Sequence, residues 1–153
     1  MVESLEHTCT ADRPGLRETA SAFTSQFQEL RSNESLANVN ATLPKIVSTL
    51  HTLNAQTSSY LQTIESTLGT LAGQTASSKR QLLDFAHGIG AAASAVEALN
   101  HLARTANAQS EAGVASDVQS FEQFVPQEEQ AIEAGNAEAK TAARSLGMTA
   151  CFK

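Results

Sequence analysis

The chain has no Trp, one Tyr and only six Phe among its 153 residues, and the residue types that favour β-strands are scarce. Ala and Leu are abundant instead, with 26 and 15 residues, and both favour the α-helix. We therefore predict an all-α protein. A chain of this length is most simply a single domain, here residues 1–153, and it is long enough to bury a sizeable core.

Basic clusters and long apolar runs are also missing. Charged residues make up 17% of the chain, below the usual quarter or so, and the net charge is −6 at pH 7. This acidic balance argues against nucleic acids and anionic membranes as partners. The least charged stretch, residues 46–78, is interrupted by many Ser, Thr and Gln residues, so we expect no transmembrane segment.

The sequence contains no P-loop, G-x-G-x-x-G, G-x-S-x-G or H-E-x-x-H motif, so we predict neither an enzyme nor a cofactor. In one predicted helix, His87 follows Asp84 and His101 follows Glu97 within one turn, as in many helical metal sites. Both histidines, however, fall opposite the apolar face of that helix. We therefore predict exposed histidines and no metal site.

Apolar residues recur at steps of three and four residues, which predicts four helices. We place them at about Asp12 to Arg31, Thr42 to Gly73, Ser77 to Ala108 and Ser110 to Gly147. The first follows an irregular lead-in over residues 1–12, and residues 148–153 form a tail.

Asp12 is a plausible N-cap with Pro14 in the first turn, and the polar residues 32–42 are typical of a linker. Pro126 predicts a kink in the fourth helix or two abutting helices. Short connections favour antiparallel neighbours, so we predict an up-down-up-down four-helix bundle, mostly monomeric.

Cys9 precedes the first predicted helix and Cys151 follows the fourth. An up-down-up-down bundle brings both positions to the same end, so we predict a disulfide between them. The alternative is a pair of unrelated thiols in the cytoplasm. The opening residues MVESLEHTCT show no signal peptide, which fits either a cytoplasmic protein or one whose signal has been removed.

The tail from Arg144 to Lys153 reads R-S-L-G-M-T-A-C-F-K, with a Leu-Gly pair shortly before the last cysteine. It resembles the ends of small secreted proteins and lipoproteins of actinobacteria, which carry Gly after that cysteine where this chain has Phe152. The resemblance implies an exported helical protein of the cell envelope and assigns no catalytic residue. We expect an extracytoplasmic location, or a cytoplasmic one if the cysteines are free.

Small residues occupy every side of the third helix over residues 86–95, including Gly88 and Gly90. They allow either very close packing or empty space beside the backbone. If neighbouring helices are antiparallel, counting residues from the turns that join the second, third and fourth helices places Gly90 at the same height in the bundle as Tyr60 and Glu128. Phe124 lies nearby and, with Phe121, is able to fill the space.

The sequence therefore predicts a binding module that holds a small hydrophobic ligand, such as a lipid, between its helices. The candidate ligand-binding residues are Tyr60, Gly88, Gly90, Phe124 and Glu128. The alternative is a structural or adaptor protein that binds a partner protein through an exposed helix face, which large exposed apolar patches would support.

Overall fold

A computed structural model describes residues 1–33, 35–69, 73–106 and 111–152, and most of them lie in four α-helices. These are α1 (Val2–Ser32), α2 (Leu36–Leu68), α3 (Ala76–Thr105) and α4 (Glu111–Ser145). Each helix packs against the next along the chain. The helices form an up-down-up-down bundle, and the predicted all-α fold is confirmed.

Helix α1 begins at Val2, so the predicted irregular lead-in over residues 1–12 is wrong. Leu5 and Cys9 continue the apolar stripe of this helix toward the N-terminus, and both are fully buried. Pro14 therefore lies inside the helix rather than in its first turn. It removes one backbone hydrogen bond, and the burial of Leu5 and Cys9 on the preceding turns offsets that loss.

Helix α2 also begins earlier than predicted, which corrects the linker assigned to residues 32–42. Ser35 is the N-cap, and its hydroxyl oxygen accepts a hydrogen bond from the backbone N–H of Asn38 at 3.2 Å. Val39 and Thr42 are both buried one and two turns into the helix. Polar composition alone suggested a linker, but the Ser35 cap and the burial of Val39 stabilise a helix here.

The remaining boundaries shift by a few residues. Helix α2 ends at Leu68, because Gly69 takes a positive φ of 43°, rather than continuing to Gly73. Thr75 caps α3 by accepting a hydrogen bond from the backbone N–H of Ser78 at 3.2 Å. The predicted end of the third helix near Ala108 and the start of the fourth near Ser110 lie outside the described residues.

Helix α4 runs without interruption from Glu111 to Ser145, so Pro126 does not divide it into two helices. The kink at this residue stays a prediction. Among the described residues, α3 is the one helix long and apolar enough to cross a membrane by length and composition alone. The residues of its apolar stripe, such as Leu82, Phe85 and Ile89, are buried in the bundle.

Helices α3 and α4 form the closest interface of the bundle. Gly88 on α3 faces Gly135 on α4 so directly that a Cβ atom built on Gly88 would collide with the Gly135 carbonyl oxygen and lie 2.7 Å from the Ala139 nitrogen. Small side chains let the two backbones approach. Helices α1 and α4, by contrast, pack far less closely than the other neighbouring pairs.

The buried side chains form two clusters, one toward each end of the bundle. The first is built around Phe27, Leu50 and Phe121. The second is built around Leu5, Phe85 and the cysteine pair. Leu16, at the middle of α1, packs against both clusters, so the two meet at mid-height.

Candidate functional site

A cavity of about 110 Å³ opens between α1 and α4 at mid-height of the bundle, where the two buried clusters meet. Most of its wall is apolar and comes from all four helices: Leu16, Leu53, Ile89, Ala92, Val96 and Ile132. Its polar wall includes Arg13, Thr57, Tyr60 and Asn136. A cavity with apolar walls and a few convergent polar groups is typical of a small-molecule site.

Contacts at both ends of the gap hold α1 and α4 in place. At one end the rings of Phe27 and Phe121 are 6.5 Å apart, and Arg31 Nε lies 3.9 Å from Glu122 Oε1. At the other end lies the cysteine pair. The two helices are therefore linked on both sides of the cavity, directly at one end and through the tail at the other.

Cys9 and Cys151 lie at disulfide distance, with Cα atoms 5.3 Å apart, which confirms the predicted proximity. Two further contacts tie the tail to α1. The backbone N–H of Ala150 donates to Glu6 Oε1 at 3.1 Å. The Arg13 guanidinium lies over the Phe152 ring, 4.0 Å from its centroid, as a cation–π contact. The tail thus reaches the edge of the cavity.

Tyr60 is the one predicted ligand residue that lines the cavity. Only 2% of its surface is exposed, and its hydroxyl has no hydrogen-bond partner of good geometry within the described structure. The same holds for Nε of Arg13, which lines the cavity beside it. Buried polar atoms are nearly always satisfied in native proteins, so these two mark a place where a polar group of a ligand or a water fits.

Burial raises the pKa of Tyr60 to about 12, while the nearby Arg13 guanidinium acts in the opposite direction. Asp12, on the same helix as Arg13, raises it further. The pKa of Arg13 is in turn lowered by burial. The Tyr60 phenol therefore keeps its proton at physiological pH and is able to donate a hydrogen bond.

We expect the Tyr60 phenol to titrate at about pH 12 in the folded protein and at about pH 10 in denaturant. The raised pKa means that this residue's contribution to stability is complete below about pH 10 and is lost as the pH rises toward about 12. Phenolate absorbance measures the titration directly, because the chain has one Tyr and no Trp. Circular dichroism must show that the helices remain intact.

The Arg13→Gln variant serves as the control for this titration. Removing the guanidinium removes the group that lowers the phenol pKa, so the Tyr60 midpoint should rise further. A midpoint near pH 10 in folded wild-type protein would contradict the burial of Tyr60.

The other four predicted ligand residues do not line this cavity. Gly88 is packed against Gly135, and Gly90 lies on a shallow outer groove with no atom near the position of its missing Cβ. Phe124 is 47% exposed, and Glu128 is half-buried. The structure does not bring the five residues into one site.

The predicted alignment of α3 and α4 was wrong. It placed Gly90 level with Glu128, whereas Gly135 lies against both Gly88 and Ala92, the residues on either side of Gly90. Gly90 is therefore level with Gly135, seven residues and about two helical turns further along α4. The small residues of α3 are therefore explained by the close approach of α4. Phe121, which was predicted to fill the space beside them, packs against Phe27 instead.

Sequence reasoning missed Arg13 and Asn136 as cavity residues. Once α1 extends to Val2, its apolar stripe runs through Leu5, Cys9 and Leu16, and Arg13 falls within that stripe. The sequence feature that pointed to Arg13 was therefore a cation on the buried face of a helix. The prediction missed this signal because residues 1–12 were assigned to an irregular lead-in, so the stripe through Leu5 and Cys9 was not recognised.

The histidines lie away from this site. His87 and His101 are exposed, as predicted. His87 Nδ1 lies 2.9 Å from Glu138 Oε1 across the α3–α4 interface, a pair that the sequence did not suggest. Across the described residues, no group of three or more His, Cys, Asp or Glu side chains is placed to hold a metal ion.

The protein is thus an all-α bundle with a mostly apolar cavity between its first and last helices. No protein-family model, no curated protein and no solved structure matches the chain.

Proposed function

We propose that the protein is a binding module that holds a small hydrophobic molecule in the cavity between α1 and α4. The cavity itself carries this proposal, because its walls are mostly apolar and one buried hydroxyl, that of Tyr60, lacks a hydrogen-bond partner of good geometry. An engineered apolar cavity of about 150 Å³ holds one benzene. A cavity of about 110 Å³ that is open on one side suits a short aliphatic chain, or the edge of a ring whose remainder lies in the opening.

We further propose that the protein is exported. The cysteine pair at disulfide distance supports this location, since disulfides persist mainly in oxidising compartments. The resemblance of the tail to secreted actinobacterial proteins supports it too. Trapping thiols by alkylation in the living source cells tests the location, and two reactive thiols would instead indicate a cytoplasmic protein.

The adaptor alternative has less support. Among the described residues, the large apolar side chains that are exposed are Met1, which precedes α1, Leu83 on α3 and Phe124 on α4. Apolar residues scattered singly in this way are normal on a protein surface. A docking surface for a partner protein would require a contiguous patch.

Binding of toluene tests the cavity proposal. We expect wild-type protein to show saturable NMR shifts at residues around the cavity, and we expect the Ala93→Leu variant to weaken binding by at least about tenfold. Ala93 is half-buried on the cavity wall, so a larger side chain there fills the space. A native mass spectrum of protein purified without added ligand would show any resident molecule as an extra mass that leaves on denaturation.

The Ala98→Leu variant is the matched control, because it makes the same change on the same helix at an exposed position. It should bind toluene as the wild type does. Thermal unfolding of both variants establishes that the fold is retained, and Ala20→Leu repeats the test from the opposite wall. Absence of saturable shifts in wild-type protein, or equal binding by the Ala93→Leu and Ala98→Leu variants, would overturn the proposal.

A further inference from the structure

The mouth of the cavity is positively charged although the protein as a whole is acidic. Arg13 and Arg17 lie one turn apart on α1 and line both the cavity and the shallow groove beside it. Lys140 lines the same groove from α4. One acidic side chain, Glu133, shares this groove with the three cations. Cations therefore outnumber acids along this groove, although the protein as a whole has a net charge of −6.

Arg13 is held at the boundary between the apolar cavity and the charged groove. Its guanidinium lies over the Phe152 ring, and its Nε is buried without a hydrogen-bond partner. Across the described residues, no carboxylate forms an ion pair with it within 4.0 Å. Besides its contact with the Tyr60 hydroxyl, the guanidinium keeps an Nε donor without an acceptor, and a partly desolvated guanidinium is suited to a planar oxyanion.

We propose that this site binds a carboxylate attached to a short apolar chain, with the chain in the cavity and the carboxylate on Arg13 and the Tyr60 hydroxyl. This inference rests on the proposed function and adds the chemical class of the ligand. Asn136 lines the cavity from α4 and supplies an amide beside the same position. Thr57 is not needed, because its hydroxyl already donates to the Leu53 carbonyl oxygen at 3.0 Å.

The charges that face the site favour an anion over a cation. Arg17 and Lys140 add positive potential at the mouth, while Asp12 and Glu133 oppose it. Tyr60 keeps its proton at neutral pH, so its hydroxyl donates to the carboxylate and does not compete with it as a phenolate. A neutral alcohol of the same chain length would fill the cavity equally well but would offer the guanidinium one uncharged oxygen in place of the two charged oxygens of a carboxylate.

Hexanoate and hexan-1-ol, titrated separately into wild-type protein by NMR at neutral pH, test the inference. We expect hexanoate to bind at least about tenfold more tightly, since hydrogen bonds to charged groups exceed neutral ones by about that factor. The Arg13→Gln variant should lose this preference while it still binds hexan-1-ol. Tyr60→Phe should weaken hexanoate binding several-fold and leave binding of hexan-1-ol nearly unchanged.

Arg80→Gln is the matched control, because it removes the same charge at an exposed position in the first turn of α3, away from the cavity. It should leave the preference for hexanoate intact. Equal affinity for the two compounds, or an equal loss in the Arg13→Gln and Arg80→Gln variants, would overturn the carboxylate inference and leave the cavity proposal standing. If toluene, hexan-1-ol and hexanoate all fail to bind the wild type, the proposed function itself fails.

Discussion

Replacing Cys9 and Cys151 together with Ser is expected to lower the free energy of unfolding by about 4 kcal/mol. The two residues are 142 positions apart, so a bond between them closes nearly the whole chain into a loop. In the chain-entropy account, such a loop removes roughly 5 kcal/mol of conformational freedom from the unfolded state. Denaturant unfolding of the oxidised wild type and of the double variant measures the difference.

The reduced wild-type protein is the control for this comparison, because it keeps both cysteine side chains in the buried cluster. It should unfold near the midpoint of the double Ser variant. Oxidised wild-type protein should show no titratable thiol after denaturation. Two titratable thiols in oxidised protein, or a loss of stability below about 1 kcal/mol, would contradict a structural disulfide.

The cysteine pair also bears on the cavity, because it lies where α1 meets the tail that follows α4. The Glu6–Ala150 hydrogen bond and the Arg13–Phe152 contact sit on the same short stretch of chain. Loss of the cysteine link lets the tail move away from α1. Arg13 would then lose the ring that holds its guanidinium at the edge of the cavity.

Periodicity predicted the parts of the fold that depend on burial. The seam of α3, for example Leu82, Val96 and Leu99, is buried as the steps of three and four residues indicated. On α4, Val118, Phe121 and Val125, which follow one another at steps of three and four residues, are buried too. These outcomes follow because an apolar stripe has only one stable location in a bundle, against other stripes.

Helix ends were predicted less well, because local signals compete with packing that only the fold reveals. Pro14 and the polar stretch 32–42 both look like boundaries in the sequence. In the structure, burial of Cys9 stabilises the part of α1 that precedes Pro14, and burial of Val39 stabilises the part of α2 that lies within residues 32–42. A proline or a capping residue shows where a helix is able to begin, and tertiary contacts determine whether it does.

The alignment between helices could not be read from the sequence at all. Periodicity fixes which face of a helix is buried but not how far one helix slides along its neighbour. In α3 and α4 that position is set by Gly88 against Gly135, where the backbones touch. An error of two turns in this alignment was enough to place the predicted ligand site among residues that do not meet.

The Gly88→Ala variant is expected to lose about 2 kcal/mol of stability. A Cβ at this position would collide with the Gly135 carbonyl oxygen and the Ala139 backbone nitrogen, neither of which is the end of a flexible side chain. Overpacking of this kind typically costs about 1–3 kcal/mol and occasionally more. The better helix propensity of Ala recovers up to about 1 kcal/mol. Denaturant unfolding measures the net change.

Gly90→Ala is the matched control two residues away on the same helix. No atom lies within 4 Å of its missing Cβ, so only the gain in helix propensity remains and the variant should be more stable by about 0.5–1 kcal/mol. The two substitutions are chemically identical and should act in opposite directions. If Gly88→Ala also stabilised the protein, α3 and α4 would not be in close contact, and the wide α1–α4 gap that forms the cavity would lose its structural basis.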